Sequence, residues 1–174
     1  CVFGDFKEMG RFSRDLHAWT GSEAAKKKVA AFYGVGKDMR HAVAAFKKQA
    51  RGAKGYTFER SAVDGLVAQL KQEPRGSVIL VKGSRAMKME EIAAALSEKQ
   101  GSTPEILVKN IADFERAHQG YDFATKLKET IDFQADLIVL AISENVPAMK
   151  TAEEKTKFQE SVTKLLTTLK GDRK

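Results

Sequence analysis

The chain has 174 residues, 43% of them hydrophobic and 30% charged, and carries a formal net charge of +7. That length suits one ordinary domain burying roughly 70% of its unfolded surface, and the composition is that of a globular chain. No apolar run approaches the ~20 residues of a membrane span, no signal-peptide pattern opens the sequence, and the single cysteine, Cys1, excludes an internal disulfide, so a cytoplasmic protein with no membrane partner is expected.

Short apolar runs alternate with longer helical patterns. The chain opens on Cys1-Val2-Phe3-Gly4, without Met and already inside a predicted strand (residues 1–4), which reads as an excised piece. A helix is expected over residues 13–28, a strand over 29–35, a helix over 38–49 and a strand over 55–58. Val63, Leu66, Val67 and Leu70 then fall at i, i+3, i+4 and i+7, one apolar helical face. A strand over 77–82 follows, and Met89, Ile92, Ala93 and Leu96 repeat the helical spacing. Beyond it come a strand over 105–110, a helix over 121–133 and a strand over 136–142. The last helix carries Phe158, Val162, Leu165, Leu166 and Leu169 on one stripe and stops at Gly171.

This alternation predicts an α/β fold, a three-layer αβα sandwich of the Rossmann-like or flavodoxin-like kind, with a mostly parallel sheet of about six strands. The runs VILV and DLIVLAI are continuous rather than alternating, as strands buried on both faces should be. One domain over 1–174 is expected, with Ile79, Val81, Leu137 and Val139 sharing its core.

Charge is unevenly placed. Residues 1–97 hold 18 Lys/Arg against 10 Asp/Glu, whereas residues 98–174 hold 12 against 13. Such asymmetry suits an anionic partner for the first half, or two sequences of different origin. A nucleic acid is not expected, because the basic residues lack interleaved aromatics and no recognition motif occurs. Lys26-Lys27-Lys28 and Lys47-Lys48 read as helix ends, where cations suit the dipole. The polar stretch SEKQGSTP (residues 97–104) marks the change in charge balance and reads as a loop, or as a join at 98–102.

The candidate site is the run Lys82-Gly83-Ser84-Arg85, read as a turn after the apolar strand Val78–Val81. In open α/β sheets, ligands bind outside the carboxyl ends of the strands. Lys82 and Arg85 suit phosphate or carboxylate, Arg85 through its planar fork; the alternative is surface charge beside a tight turn. Asp5 and Glu8 follow the first strand and suit a ligand's amine or hydroxyl, or a metal, or else cap the following loop. His17 reads as a packing histidine, and Met87 and Met89 as core.

These residues carry a resemblance. Val2 to Gly10 (VFGDFKEMG), His17 early in the next helix, Gly34-Val35-Gly36-Lys37, and KGSR followed by Met and Glu together resemble, in the same order, the C-terminal domain of the Mur ligases that add D-alanyl-D-alanine to UDP-N-acetylmuramoyl tripeptide. The resemblance covers residues 1–97 and implies a cytoplasmic ATP-dependent amide ligase that forms an acyl phosphate, with ATP and Mg held mainly by another domain. The phosphate-cradling G-x-x-x-x-G-K-[ST] loop is absent from this chain, as are the strand and Asn-rich turn that open that domain in the family. Any ligand retained would be a weakly bound anion such as a nucleotide or a UDP-sugar peptide.

From about residue 103 a different pattern follows. EILVKN (105–110), Tyr121-Asp122-Phe123 and ADLIVLAISENV (135–146) resemble the middle of an SGNH (GDSL-type) hydrolase. There a comparable strand ends in a block whose Asn donates to the oxyanion, and Asn145 matches it; Ser143 stands where Gly is usual and Val146 where Asp is common. Residues 98–174 contain neither the Gly-Asp-Ser nucleophile nor the Asp-x-x-His of that family, and an oxyanion donor alone does not turn over an ester. Asn145 also reads as a cap before Pro147. The expectation is therefore a chimera of 1–97 and 103–174 with no autonomous activity, no cofactor and no required partner. The alternatives are the substrate- or nucleotide-binding portion of a peptidoglycan-precursor ligase, or an SGNH-type esterase fragment.

Overall fold

The computed structural model describes residues 1–74, 76–97, 107–108, 137–144 and 149–170. Its strands are β1 (Val2–Gly4), β2 (Ala31–Val35), β3 (Lys54–Phe58), β4 (Ser77–Ser84), β5 (Leu107–Val108) and β6 (Leu137–Glu144). They form one six-stranded sheet in the order β3-β2-β1-β4-β6-β5, and every pairing is parallel. Among the described residues the helices are α1 (Ser13–Lys26), α2 (Met39–Gln49), α3 (Val63–Leu70), α4 (Glu90–Ser97) and α5 (Ala152–Lys170). The α/β class, the parallel sheet and the flanking helices are those expected from the alternation. The predicted helix over 121–133, the join at 98–102 and Asn145 lie outside the described residues.

The continuous apolar runs follow from burial on both faces. Successive strand residues point to opposite sides, and two separate cores collect them. Phe3, Phe32 and Leu80 enter the core beneath α1, α2 and α5. Val2, Ala31, Tyr33, Val35, Ile79 and Val81 enter the core beneath α3 and α4. The first core is strongly aromatic: Phe3 stacks on Phe32 at 5.4 Å, and Phe32 on Phe46 of α2 at 5.4 Å.

Strand β4 pairs with β1 on one side and with β6 on the other, the latter over eight residues from Ser77↔Leu137 to Ser84↔Glu144. Helix α5 joins the first core through Phe158, Val162, Leu165 and Leu166, with the Phe158 ring edge-on to Phe6 at 4.9 Å. Its start is a capping box: Thr151 Oγ1 accepts from the Glu154 N–H at 3.2 Å, and the Glu154 carboxylate accepts the Thr151 N–H at 2.8 Å. No helix among the described residues is long and apolar enough to cross a membrane.

Candidate functional site

The chain leaves β1 towards β2 and β3, then crosses to β4 on the other side, so the topological switch point lies between the carboxyl ends of β1 and β4. The motif residues of the two strands meet there. The Ser84 N–H donates to the Asp5 carbonyl at 3.4 Å, and the Asp5 N–H to the Val35 carbonyl at 3.0 Å.

Gly83-Ser84 is not a turn, contrary to the sequence expectation, and the strand expected over 77–82 runs two residues further. Lys82-Gly83-Ser84 is the last part of β4, because β1 pairs with Lys82 on one side and β6 pairs through Ser84 on the other. Ladder bonds on both sides outweigh the turn propensity of Gly and Ser. The turn comes later, as a single 3-10 turn at Arg85–Met87 ending in Lys88 with φ 46°. Lys82 is 3% exposed, which removes the reading of it as a solvated surface charge, whereas Arg85 is exposed. The Ser84 hydroxyl is buried and has no hydrogen-bond partner.

Gly4 and Gly83 are adjacent across the β1–β4 pair, and their missing side chains are replaced by one residue. A Cβ on Gly4 would lie 2.6 Å from Met89 Sδ, and one on Gly83 would lie 2.6 Å from Met89 Cγ. Met89 and Met87 are buried. The recess left by the two glycines is therefore filled from within on the α3/α4 side.

Asp5 is 3% exposed and accepts three hydrogen bonds. Its Oδ1 accepts the N–H groups of Asp38 and Met39, both at 3.0 Å, and so caps the start of α2, 33 residues away. Its Oδ2 pairs with Lys7 Nζ at 3.2 Å. Asp5 thus caps α2, not the loop that follows it. Gly36, with φ +108°, lets the backbone pass this carboxylate, since a Cβ there would sit 2.5 Å from it. Glu8 is exposed at φ 64°, and its carbonyl accepts the Met149 N–H at 2.8 Å. Asp5, Lys82, Gly83, Ser84 and Arg85 are thus gathered at the switch point.

His17 is wholly buried with both ring nitrogens used. Nε2 accepts the Phe6 N–H at 3.1 Å, which leaves Nδ1–H to donate to the Ser13 carbonyl at 2.6 Å. Burial pushes its pKa below 6.5; the Ser13 carbonyl, then Asp5 and Asp38, pull the other way, and His41 adds to the lowering. The neutral ring is therefore the folded-state form, and stability is complete above pH 6.5. As pH falls below that value the unfolded chain takes up a proton that the folded chain refuses, so stability declines until the folded-state pKa is passed. Urea denaturation at pH 7.5 and pH 5.5 should show this drop, and His17→Leu should abolish its share of it. His17→Leu should also cost about 1–3 kcal/mol at pH 7.5, because the Phe6 N–H loses its acceptor.

Arg60 carried no signal in the sequence. It sits in the 3-10 turn before α3, donates through Nε to the Met87 carbonyl at 2.7 Å, and pairs with Glu91 of α4. It holds the turn after β4 in place, across 27 residues of chain. Among the described residues no group of three or more His, Cys, Asp or Glu side chains could hold a metal ion. No known protein-family model matches the chain, and no solved structure matches it.

Proposed function

We propose that the chain is a non-catalytic α/β domain of mixed ancestry: residues 1–97 from a Mur-ligase-like C-terminal domain and residues 103–174 from an SGNH-hydrolase-like segment, joined at 98–102. What supports this reading above all is that Asp5, Met89 and His17, three of the residues matching the ligase motifs, are occupied with holding the fold. Asp5 caps α2, Met89 fills the recess between Gly4 and Gly83, and His17 spends both nitrogens on backbone. With both ring nitrogens used, His17 has no bonding capacity left for a substrate. On this reading the domain requires no ATP, Mg or partner, and Asn145 donates to no reacting oxyanion. The expected result is no turnover of ATP with a UDP-muramoyl tripeptide and D-alanyl-D-alanine, and hydrolysis of a chromogenic short-chain ester at the same background rate by the wild type and Asn145→Ala. An ester rate that collapses in Asn145→Ala would defeat it.

A second reading is favoured by the buried, unbonded hydroxyl of Ser84 beside exposed Arg85. There the switch point keeps a weak site for an anion such as a nucleotide or a UDP-sugar peptide. Titration calorimetry with ATP and with the UDP-muramoyl peptide, at millimolar concentration, tests it. Heat that disappears in Ser84→Ala and in Arg85→Ala would support it, and no heat would remove it.

A further inference from the structure

The opposite edge of the sheet, where the strands begin, holds a cavity of about 360 Å3 beneath the first residues of β4. It lies between the two helical layers: Leu70 reaches it from α3, Leu166 from α5, Val78 from the start of β4, and Val29 from the connection before β2. Its volume is at the small end of the roughly 300–1,000 Å3 of ligand pockets, and its lining is mainly apolar, as such pockets are. A compact apolar group fits; a dinucleotide does not.

Charge at this edge selects the other end of the ligand. Helix C-termini converge here and would make the rim electronegative if their carbonyls were bare. They are bonded instead. The Glu23, Ala25 and Ala24 carbonyls accept from the Lys27, Lys28 and Val29 N–H groups, and the Val67 and Leu70 carbonyls accept from the Lys71 and Glu73 N–H groups. The Glu73 carboxylate is bonded by the Tyr33 hydroxyl and lies 3.7 Å from Lys54 Nζ. Lys27 and Lys28 line the cavity beside these satisfied groups, Lys28 set by a left-handed backbone of φ 56°.

The geometry points to a binding site for a small amphiphile with an apolar tail and an anionic head, of the class of medium-chain carboxylates. The tail lies against Val29, Leu70, Val78 and Leu166, and the carboxylate meets Lys27 and Lys28. This site is at the far edge of the sheet from Ser84 and Arg85, so Arg85→Ala leaves it unchanged whatever becomes of the anion site there.

Cys1 lines the cavity and is the single cysteine of the chain, so the rate of its alkylation by iodoacetamide reports occupancy. Decanoate, below its micelle concentration, should slow that reaction. Affinity from hexanoate to decanoate should rise about fourfold for each added methylene. Decanol should bind more weakly, and decylammonium about tenfold more weakly than decanoate. Ala30→Trp, which sets an indole into the lining, should remove protection by all three. Lys27→Glu with Lys28→Glu should reverse the preference for heads while leaving the thermal melt in place. Absence of protection, equal protection by the three heads, or an affinity indifferent to tail length would each overturn the proposal. If Ala30→Trp fails to fold, the charge-reversed pair and the tail-length series decide it.

Discussion

Gly21→Ala should destabilise the protein by about 3 kcal/mol or more, the upper part of the range for overpacking a core. A Cβ at Gly21 of α1 would lie 1.8 Å from the backbone oxygen of Ala42 and 2.6 Å from its carbonyl carbon. Nothing there can rotate away, because the obstacle is the main chain of α2. One helix must move, and both are held against the sheet by buried side chains, Leu16 and Ala24 from α1, Val43 and Phe46 from α2. The better helix propensity of alanine, worth about 1 kcal/mol, offsets only part of this cost. Two controls isolate the cause. Ala42→Gly should fail to rescue Gly21→Ala, since it removes a side chain and leaves the offending carbonyl. Gly65→Ala, at an exposed position of α3 with nothing within 4 Å of the new methyl, should stabilise by about 0.5–1 kcal/mol. A urea titration that finds Gly21→Ala neutral would mean that α1 and α2 do not approach this closely.

Asp5→Ala should cost about 2–4 kcal/mol, combining the loss of a helix cap with two donors left without their acceptor. The Asp38 and Met39 N–H groups both rest on Oδ1, and the side chain is only 4% exposed, so water is poorly placed to replace it. Asp5→Asn should cost less, since one oxygen can still accept, but its amide would face Lys7 with a second donor. The glycine opposite supplies a further check. Gly36→Ala should be destabilising alone, through its φ of +108° and the 2.5 Å approach to the carboxylate. In the Asp5→Ala background the clash disappears and only the backbone strain remains, so the two costs should fall short of adding. Guanidinium midpoints with unchanged slopes would measure all four proteins. The same experiment bears on function: a residue kept for a ligand often leaves the fold unharmed or firmer when removed. A neutral Asp5→Ala would return that carboxylate to the list of binding groups.

What could be read from the residues divides along one physical line. Elements set by local pattern were legible: the continuous run Val78–Val81 marked a strand buried on both faces, and the i, i+3, i+4 stripes of α3, α4 and α5 marked their inward sides. Features set by partners distant in the chain were not. Lys82-Gly83-Ser84 has the chemistry of a turn, and only the neighbours β1 and β6 keep it extended. Asp5 looked equally suited to a ligand or to its own loop, because the amides it caps lie 33 and 34 residues on. Arg60 reads as an ordinary surface cation until the Met87 carbonyl is brought to it. The irregular pattern of α1 did contain a signal: a glycine inside a helix costs about 1 kcal/mol against alanine, and at Gly21 the close approach of Ala42 of α2 leaves no room for a Cβ.

The place of β4 between β1 and β6 has a consequence for biosynthesis. Strand β1 is synthesised before β4, its second neighbour, which emerges some 75 residues later, and the outer flank of β4 stays bare until residues 137–144 follow. Through much of translation, then, the nascent chain carries a Val-Ile-Leu-Val ribbon with open amides and carbonyls along one side. Such a ribbon invites pairing with other copies. A release near residue 97 should yield inclusion bodies, whereas a chain that continues through residue 144 supplies its own closing strand.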